Sequence, residues 1–426
     1  MGKTIAEKIL SIKSGFDVKN GFGANAGDIV TSEIDFAMVP DAQGPWSIEP
    51  FNKLNGEGVF NRSKIAFVID HYVPCPNASV AGHHDLVRRF CKAHDIKLYE
   101  SGEGICHQIL FEKGHVFPGG LFVGADSHTC SYGALGALAV GVGSTDIAAA
   151  MRFGKLWFKV PESINIRLHG ALKQGVSAKD LALYIMGFLG AGGASYKSIE
   201  YSGGGVETLD MDDRFTVCNL TVECGAKFGI MPFDNVTKKW CIEKGIDFSS
   251  SVSADSDAVY ERIIDIDLSE IECGVAKPHE VDNYAALKDV SGTKIDMVLI
   301  GTCTNGRLKD FACAYEILKG REACGGVEFL VVPASREIYK EAIRKSYIET
   351  FLSCGATILP PGCGPCCGSS AGVPGDGANV LSTANRNFLG RMGNTKANIY
   401  LASPYTAAAA VITGKITDPE VFLNGK

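Results

Sequence analysis

Short apolar, β-branched runs recur along this chain, and several are followed by small-residue or helical segments. Lys64-Ile65-Ala66-Phe67-Val68-Ile69 and Leu121-Phe122-Val123 read as buried strands. Ile164 to Leu168 alternates and reads as an edge strand. Ile295 to Ile300, Phe329 to Val332 and Ile399 to Leu401 are three more in the C-terminal third. Helical patterns sit between them. Ser177 caps one, with Asp180 in the capping-box position. Ser403-Pro404 opens another, with proline in the first turn and an alanine run behind it. Strands alternating with helices demand an α/β architecture with mainly parallel sheets. Such sheets place their sites at the carboxyl ends of the strands.

A length of 426 residues is enough for about three domains. The glycine-rich first part ends at Pro161-Glu162, and Val290-Ser291-Gly292 precedes the strand at 295. The expected domains are 1–161, 162–285 and 286–426. Between Asp247 and Glu272 lie eight acidic residues and one arginine, the pattern of a solvated surface segment.

Glycine is the compositional outlier, 50 residues, or about 12% against an average near 7%. Lys and Arg total 41 against 48 Asp and Glu, for a net charge of −7. A basic surface for gripping nucleic acid is not indicated. No uncharged apolar run reaches the roughly 18 residues of a membrane span, and Met1 to Lys8 lacks the apolar core of a signal peptide. A cytoplasmic protein is expected. The 15 cysteines are odd in number, so reduced thiols or metal ligands are expected ahead of a disulfide framework.

Two of those cysteines stand at C-x-x-C spacing in Pro361-Gly362-Cys363-Gly364-Pro365-Cys366-Cys367-Gly368. Such a loop binds zinc or an iron–sulfur cluster, or does thiol redox chemistry. A third, Cys303, lies in Gly301-Thr302-Cys303-Thr304-Asn305-Gly306-Arg307, directly after the strand at 295–300. Three thiolates suit a [4Fe–4S] cluster with one iron left without a protein ligand, open to act as a Lewis acid. Cys367 reads as a packing residue, because adjacent cysteines rarely point at one metal.

Three histidines occur on short polar motifs near the ends of apolar runs: Asp70-His71, His107 in Gly102-Glu103-Gly104-Ile105-Cys106-His107-Gln108, and Asp126-Ser127-His128. A carboxylate beside an imidazole fixes its tautomer and raises its basicity, which suits proton transfer. His83, His84, His94, His115, His169 and His279 lack such settings and read as structural or surface. Two arginines in Asn385-Arg386-Asn387-Phe388-Leu389-Gly390-Arg391 read either as surface residues, the more common case, or as a clamp for carboxylates. Gly141-Val142-Gly143-Ser144-Thr145-Asp146 fails the dinucleotide fingerprint, since Asp146 takes the place of its third glycine. It reads as a close-packed turn into a helix from Ile147.

Taken together, GTCTNGR at 301–307, PGCGPCCG at 361–368, ADSHT at 125–129, GEGICHQ at 102–108 and NRNFLGR at 385–391 resemble the aconitase superfamily. Within it, the length and motif order are most similar to the branch of separate large subunits that includes isopropylmalate dehydratases and homoaconitases. The resemblance implies three α/β domains around a [4Fe–4S] cluster and a fourth, swivelling domain on a separate small subunit. It implies Cys303, Cys363 and Cys366 as cluster ligands, with Asn219 and Asn385 as cluster neighbours. It implies Asp70 with His71 as the pair that protonates a leaving hydroxyl, His107 paired with Asp126, and His128 paired with Glu223. Ser127, Arg386 and Arg391 would hold substrate carboxylates. The implied activity is a hydro-lyase acting on a small hydroxy dicarboxylic acid, with the proton-abstracting serine on the small subunit and neither Ser369 nor Ser370 in that role. Two positions depart from the family pattern. Pro40 stands before Asp41 where relatives carry Gln or His, and Cys367 replaces an apolar residue. A non-catalytic RNA-binding relative and a zinc–thiolate protein are the readings from other classes.

Overall fold

The computed structural model describes residues 2–423. Met1 and residues 424–426, the extreme ends of the first and third expected domains, lie outside that range.

The chain forms three mainly parallel sheets interleaved with helices, the architecture expected from its alternation of runs. The first sheet has five parallel strands in the order Lys97–Tyr99, Ile65–Val68, Phe36–Pro40, Leu121–Gly124 and Leu138–Gly141. Its inner strands are buried along their whole length, as sheets covered on both faces require. A two-stranded antiparallel ribbon, Ile29–Glu33 with Lys155–Lys159, stands apart from it. The second sheet orders Phe228–Ile230, Ser198–Ser202, Ser163–His169 and Arg262–Asp267, all parallel. The third has seven strands, in the order Tyr284–Ala286, Gly274–Ala276, Asn398–Leu401, Asn379–Ser382, Met297–Gly301, Glu328–Val332 and Thr357–Ile358. Only its first two pairings are antiparallel. No helix among the described residues is long and apolar enough to cross a membrane.

The caps behave as the sequence dictates. Ser177 and Asp180 form a reciprocal capping box on the helix Ala178–Leu189, and Ser403 accepts from the Thr406 amide at the start of Pro404–Thr413. Other expectations need correction. Ser163–His169 is an interior strand and not an edge. Its polar alternation arises because Asn165 is buried, with its Oδ1 accepting from the Ser202 hydroxyl at 2.7 Å. The acidic segment 247–272 includes the strand Arg262–Asp267, which buries Ile264 and Ile266 against its neighbour and leaves its charged residues in water. The helix expected from Ile147 already starts at Ser144, after Gly143.

What positions the site is the meeting of the first and third sheets. The Cys363 amide donates to the Asp70 carbonyl at 2.7 Å, and the Ile105 amide to the Ala334 carbonyl at 2.9 Å. The carboxyl ends of both sheets thereby face one another.

Candidate active site

Asp41, Asp70 with His71, and Asp126 with His128 each follow a parallel strand of the first sheet at its carboxyl end. Cys303 follows Met297–Gly301, and Asn385 and Arg386 follow Asn379–Ser382, at the same end of the third sheet. His107 sits in the first turn of the helix Cys106–Glu112. Asn219 and Glu223 come from the helix Met211–Leu220 and the turn after it.

The three histidine–carboxylate pairs expected from the sequence all form. His71 Nδ1 lies 2.8 Å from Asp70 Oδ1, His107 Nε2 lies 2.8 Å from Asp126 Oδ1, and His128 Nε2 lies 2.8 Å from Glu223 Oε1. They are joined into one network. Asp126 Oδ2 stands 3.3 Å from His71 Nε2, and Asp126 Oδ1 also accepts the His128 amide at 2.8 Å. The second oxygen of Asp70 accepts the Cys106 amide at 2.7 Å, which ties the second motif to the first.

These contacts set the charges. Burial works against the His71 imidazolium, but the Asp70 and Asp126 carboxylates outweigh it and hold its pKa well above the ordinary value. Burial would raise Asp126, yet the three histidines keep it well below the carboxylate range. His128 is raised, against burial, by Asp126 and Glu223. Glu223 is lowered, against burial, by His128 and Arg386.

Arg386 Nε contacts both Glu223 oxygens, at 2.8 and 3.0 Å. This engages only one edge of the guanidinium and leaves donors for a ligand carboxylate. Arg391 faces the cysteines: its Nη2 lies 3.6 Å from the Cys366 sulfur, and its Nε is buried without a partner. Ser127 is half-buried, its hydroxyl 3.5 Å from His128 Nδ1.

The sulfurs fit a metal–sulfur group. Cys303, Cys363 and Cys366 are all buried. The Cys303 sulfur accepts from Asn385 Nδ2 at 3.2 Å and Asn219 Nδ2 at 3.5 Å. Cys366 contacts Asn385 Oδ1 at 3.5 Å in addition to Arg391. Burial and the neighbouring Cys366 push the Cys303 thiol up to about 12, while the Cys363 thiol and Arg391 hold Cys366 well below the ordinary range. Amide and guanidinium donors aimed at sulfur are what metal-bound thiolates need. Gly301 makes the approach possible: its φ is 135°, and a Cβ there would sit 2.1 Å from the Val332 carbonyl oxygen. The next residue, Thr302, is buried at a φ of 70°, a strained conformation for a β-branched side chain. Cys367 is half-buried, hydrogen-bonded to the Ser369 hydroxyl at 2.6 Å. The Cys363 thiol, with help from nearby His71, brings it down to about 6 despite burial. It is therefore more engaged than a packing residue.

Several contributors were not legible in the sequence. Asp41 is fully buried and accepts the His71 amide at 2.9 Å, the Tyr72 amide at 3.1 Å and His84 Nε2 at 2.9 Å. Its position after a parallel strand, like those of Asp70 and Asp126, was the signal available. His84 is buried on this carboxylate and is a structural histidine. His94 is half-buried against Phe51 and Phe90. Arg307 is buried and donates to the Cys303 and Thr216 oxygens at 2.9 and 2.7 Å, fixing the cysteine loop from behind.

Comparison with known proteins bears on the same residues. The profile of the Aconitase family (aconitate hydratase) matches residues 63–293 and 283–414. The chain is 46% identical over 424 residues, 99% of its length and all of the other, to 3-isopropylmalate dehydratase large subunit 1 of Methanopyrus kandleri. It is 48% identical over 425 residues to 3-isopropylmalate dehydratase large subunit 2 of Archaeoglobus fulgidus, and 47% over 427 to large subunit 1 of Thermotoga maritima, covering 99% of this chain and all of each relative. Family profile and full-length relatives agree with the motifs gathered at the sheet ends, and the chain belongs to the aconitase family.

Proposed function

We propose that this chain is the large, catalytic subunit of a hydro-lyase that dehydrates and rehydrates 3-isopropylmalate, isomerising it with 2-isopropylmalate in leucine biosynthesis. Its three sheets are read as the cores of domains spanning about 1–161, 162–285 and 286–426. The observation that carries the reading is the convergence of three histidine–carboxylate pairs on the same sheet ends as Cys303 and Cys366.

Cys303, Cys363 and Cys366 would hold a [4Fe–4S] cluster, which when bound supplies a Lewis acid for the substrate oxygens. The chain's own residues do the rest. Asp70 fixes the His71 tautomer by accepting a hydrogen bond from Nδ1–H. The Nε2 proton has only the longer 3.3 Å contact with Asp126 to give up, so it is the one delivered to the leaving hydroxyl. Glu223 anchors Arg386 by its Nε edge, and the free donors face a substrate carboxylate. His107 and His128 hold Asp126 ionised and keep the field around the departing group fixed. By the resemblance to the family, the carbon-bound proton is left to a serine of the separate small subunit, and the Ser369 hydroxyl is engaged with Cys367.

Pro40 favours a second substrate reading. It is buried at the end of its strand, directly before Asp41, where relatives would present a polar side chain. A homocitrate, citramalate or 2,3-dimethylmalate dehydratase remains the competing reading. The test is turnover of these acids by the iron-loaded chain mixed with its small subunit. Preference for isopropylmalate, and no turnover by the large chain alone, is expected. Preference for another of the acids overturns the substrate, and robust activity without the small subunit overturns the split enzyme.

A further inference from the structure

Lys179 occupies the first turn of the helix Ala178–Leu189 and is fully buried. Its ammonium donates to three neutral oxygens: the Thr383 carbonyl at 2.7 Å, the Ala384 carbonyl at 2.5 Å and Asn305 Oδ1 at 3.4 Å. A buried cation satisfied by neutral oxygens is costly, and an apolar side chain of similar volume would cost less. Burial brings its pKa down to about 7, against the pull of Asp310 and of the Cys303 and Cys366 sulfurs.

The places it grips explain the expense. Thr383 and Ala384 are the two residues directly before Asn385, whose amide touches both Cys303 and Cys366. Asn305 lies two residues beyond Cys303 in the same loop. The Thr383 hydroxyl accepts the Gly301 amide at 2.9 Å, so the two segments are already joined at one end. Lys179 joins them at the other, reaching in from a helix packed against the helix Met211–Leu220 and the strand Gly274–Ala276.

We propose that Lys179 is a positioning residue for the sulfur site: its ammonium clamps the Cys303 loop to the Asn385 turn and supplies positive charge that offsets the thiolates and the group they hold. This rests on the reading that Cys303, Cys363 and Cys366 bind an iron–sulfur cluster. The clamp itself rests on the Lys179 contacts alone.

Two variants separate the clamp from the charge. Lys179→Met removes both, while Lys179→Gln keeps an N–H donor for the Thr383 carbonyl and loses the charge. In the full iron-free chain, amide hydrogen exchange should accelerate in Lys179→Met at residues 302–306 and 384–387, with the first sheet unaffected. Lys179→Gln should retain more of that protection. After anaerobic loading, both variants should release iron to a chelator roughly 10- to 100-fold faster than the unmodified chain. Both should show a more negative cluster reduction potential, because a cation that favoured the added electron is gone; a merely structural lysine would leave the potential unmoved. If Lys179→Met does not fold, release and potential in Lys179→Gln decide. Unchanged exchange in Lys179→Met overturns the clamp. Iron release and potential equal to those of the unmodified chain in the loaded variants overturn the charge role. Failure of the unmodified chain to take up iron overturns the cluster reading instead, and the exchange measurement still decides the clamp.

Discussion

Asp126 reaches His71: its Oδ2 stands 3.3 Å from the His71 Nε2 while its Oδ1 holds His107 Nε2 at 2.8 Å. The carboxylate expected to serve one histidine thus engages three, His71, His107 and His128, and it contributes to the raised pKa of His71. A group that must be protonated to act loses activity as pH rises through its pKa. Replacing Asp126 by Asn removes a charge that favours the imidazolium, so the alkaline limb of kcat/KM in the assembled enzyme should move to lower pH. A limb that stays in place would separate Asp126 from the acid.

His71→Ala should lower kcat of the assembled enzyme by about 10²–10⁴-fold with iron content unchanged, the usual contribution of a general acid. Asp70→Asn should cost less, because it disturbs the orientation of the imidazole without removing it. His169, exposed and paired with Asp265 at the surface, is the control. Near-normal kcat for His71→Ala at full iron content would remove this residue from the mechanism.

Glu200 gives a stability test away from the chemistry. Its carboxyl is buried, accepting from the Ala6 amide at 3.0 Å and the Tyr260 hydroxyl at 2.9 Å, and burial raises it from 4.5 to about 7. The fold favours the neutral form, so this contribution is complete below pH 4.5 and is lost as pH rises through 7. Glu200→Gln should match the parent chain near pH 5 and exceed it by about 1–3 kcal/mol near pH 8. Denaturant titrations at the two pH values check this, and an equal difference at both would contradict it.

Ser335 and Glu112 test the seam between the first and third sheets. The Ser335 hydroxyl donates to Glu112 Oε1 at 2.7 Å and also accepts the Ile338 amide at the start of the next helix. Ser335→Ala removes a helix cap and leaves Glu112 short of a donor, so a loss of about 1–2 kcal/mol is expected in urea unfolding. A loss well below that range would mean that water replaces the hydroxyl.

The sequence carried the α/β class, the caps at Ser177 and Ser403 and the adjacent pair Asp70–His71 through local pattern, while the pairings of His107 with Asp126 and of His128 with Glu223, 95 residues away, came only from the resemblance to the family. It did not carry Asp41 or Lys179. Both act by reaching residues of another segment, Asp41 to the His71 amide and Lys179 to the Thr383 and Ala384 carbonyls, and a buried charge has no periodic signature along a chain. The strand Ser163–His169 was misplaced for a related reason. Asn165 imitates a solvent-facing residue until its partner Ser202 is brought beside it. Arg391 was grouped with Arg386 by spacing, yet the fold turns one toward Cys366 and the other toward Glu223.

The central claim is that three cysteines from two loops hold one iron–sulfur cluster among these acids and bases. Iron and labile sulfide, counted after anaerobic reconstitution of the unmodified chain and of single Cys→Ser variants, test it most directly. About four irons per chain are expected for the unmodified protein, with the cluster absorbance lost in Cys303→Ser, Cys363→Ser and Cys366→Ser and kept in Cys367→Ser. A cluster that survives Cys303→Ser and disappears with Cys367→Ser, or a colourless chain that takes up zinc alone, would contradict the account.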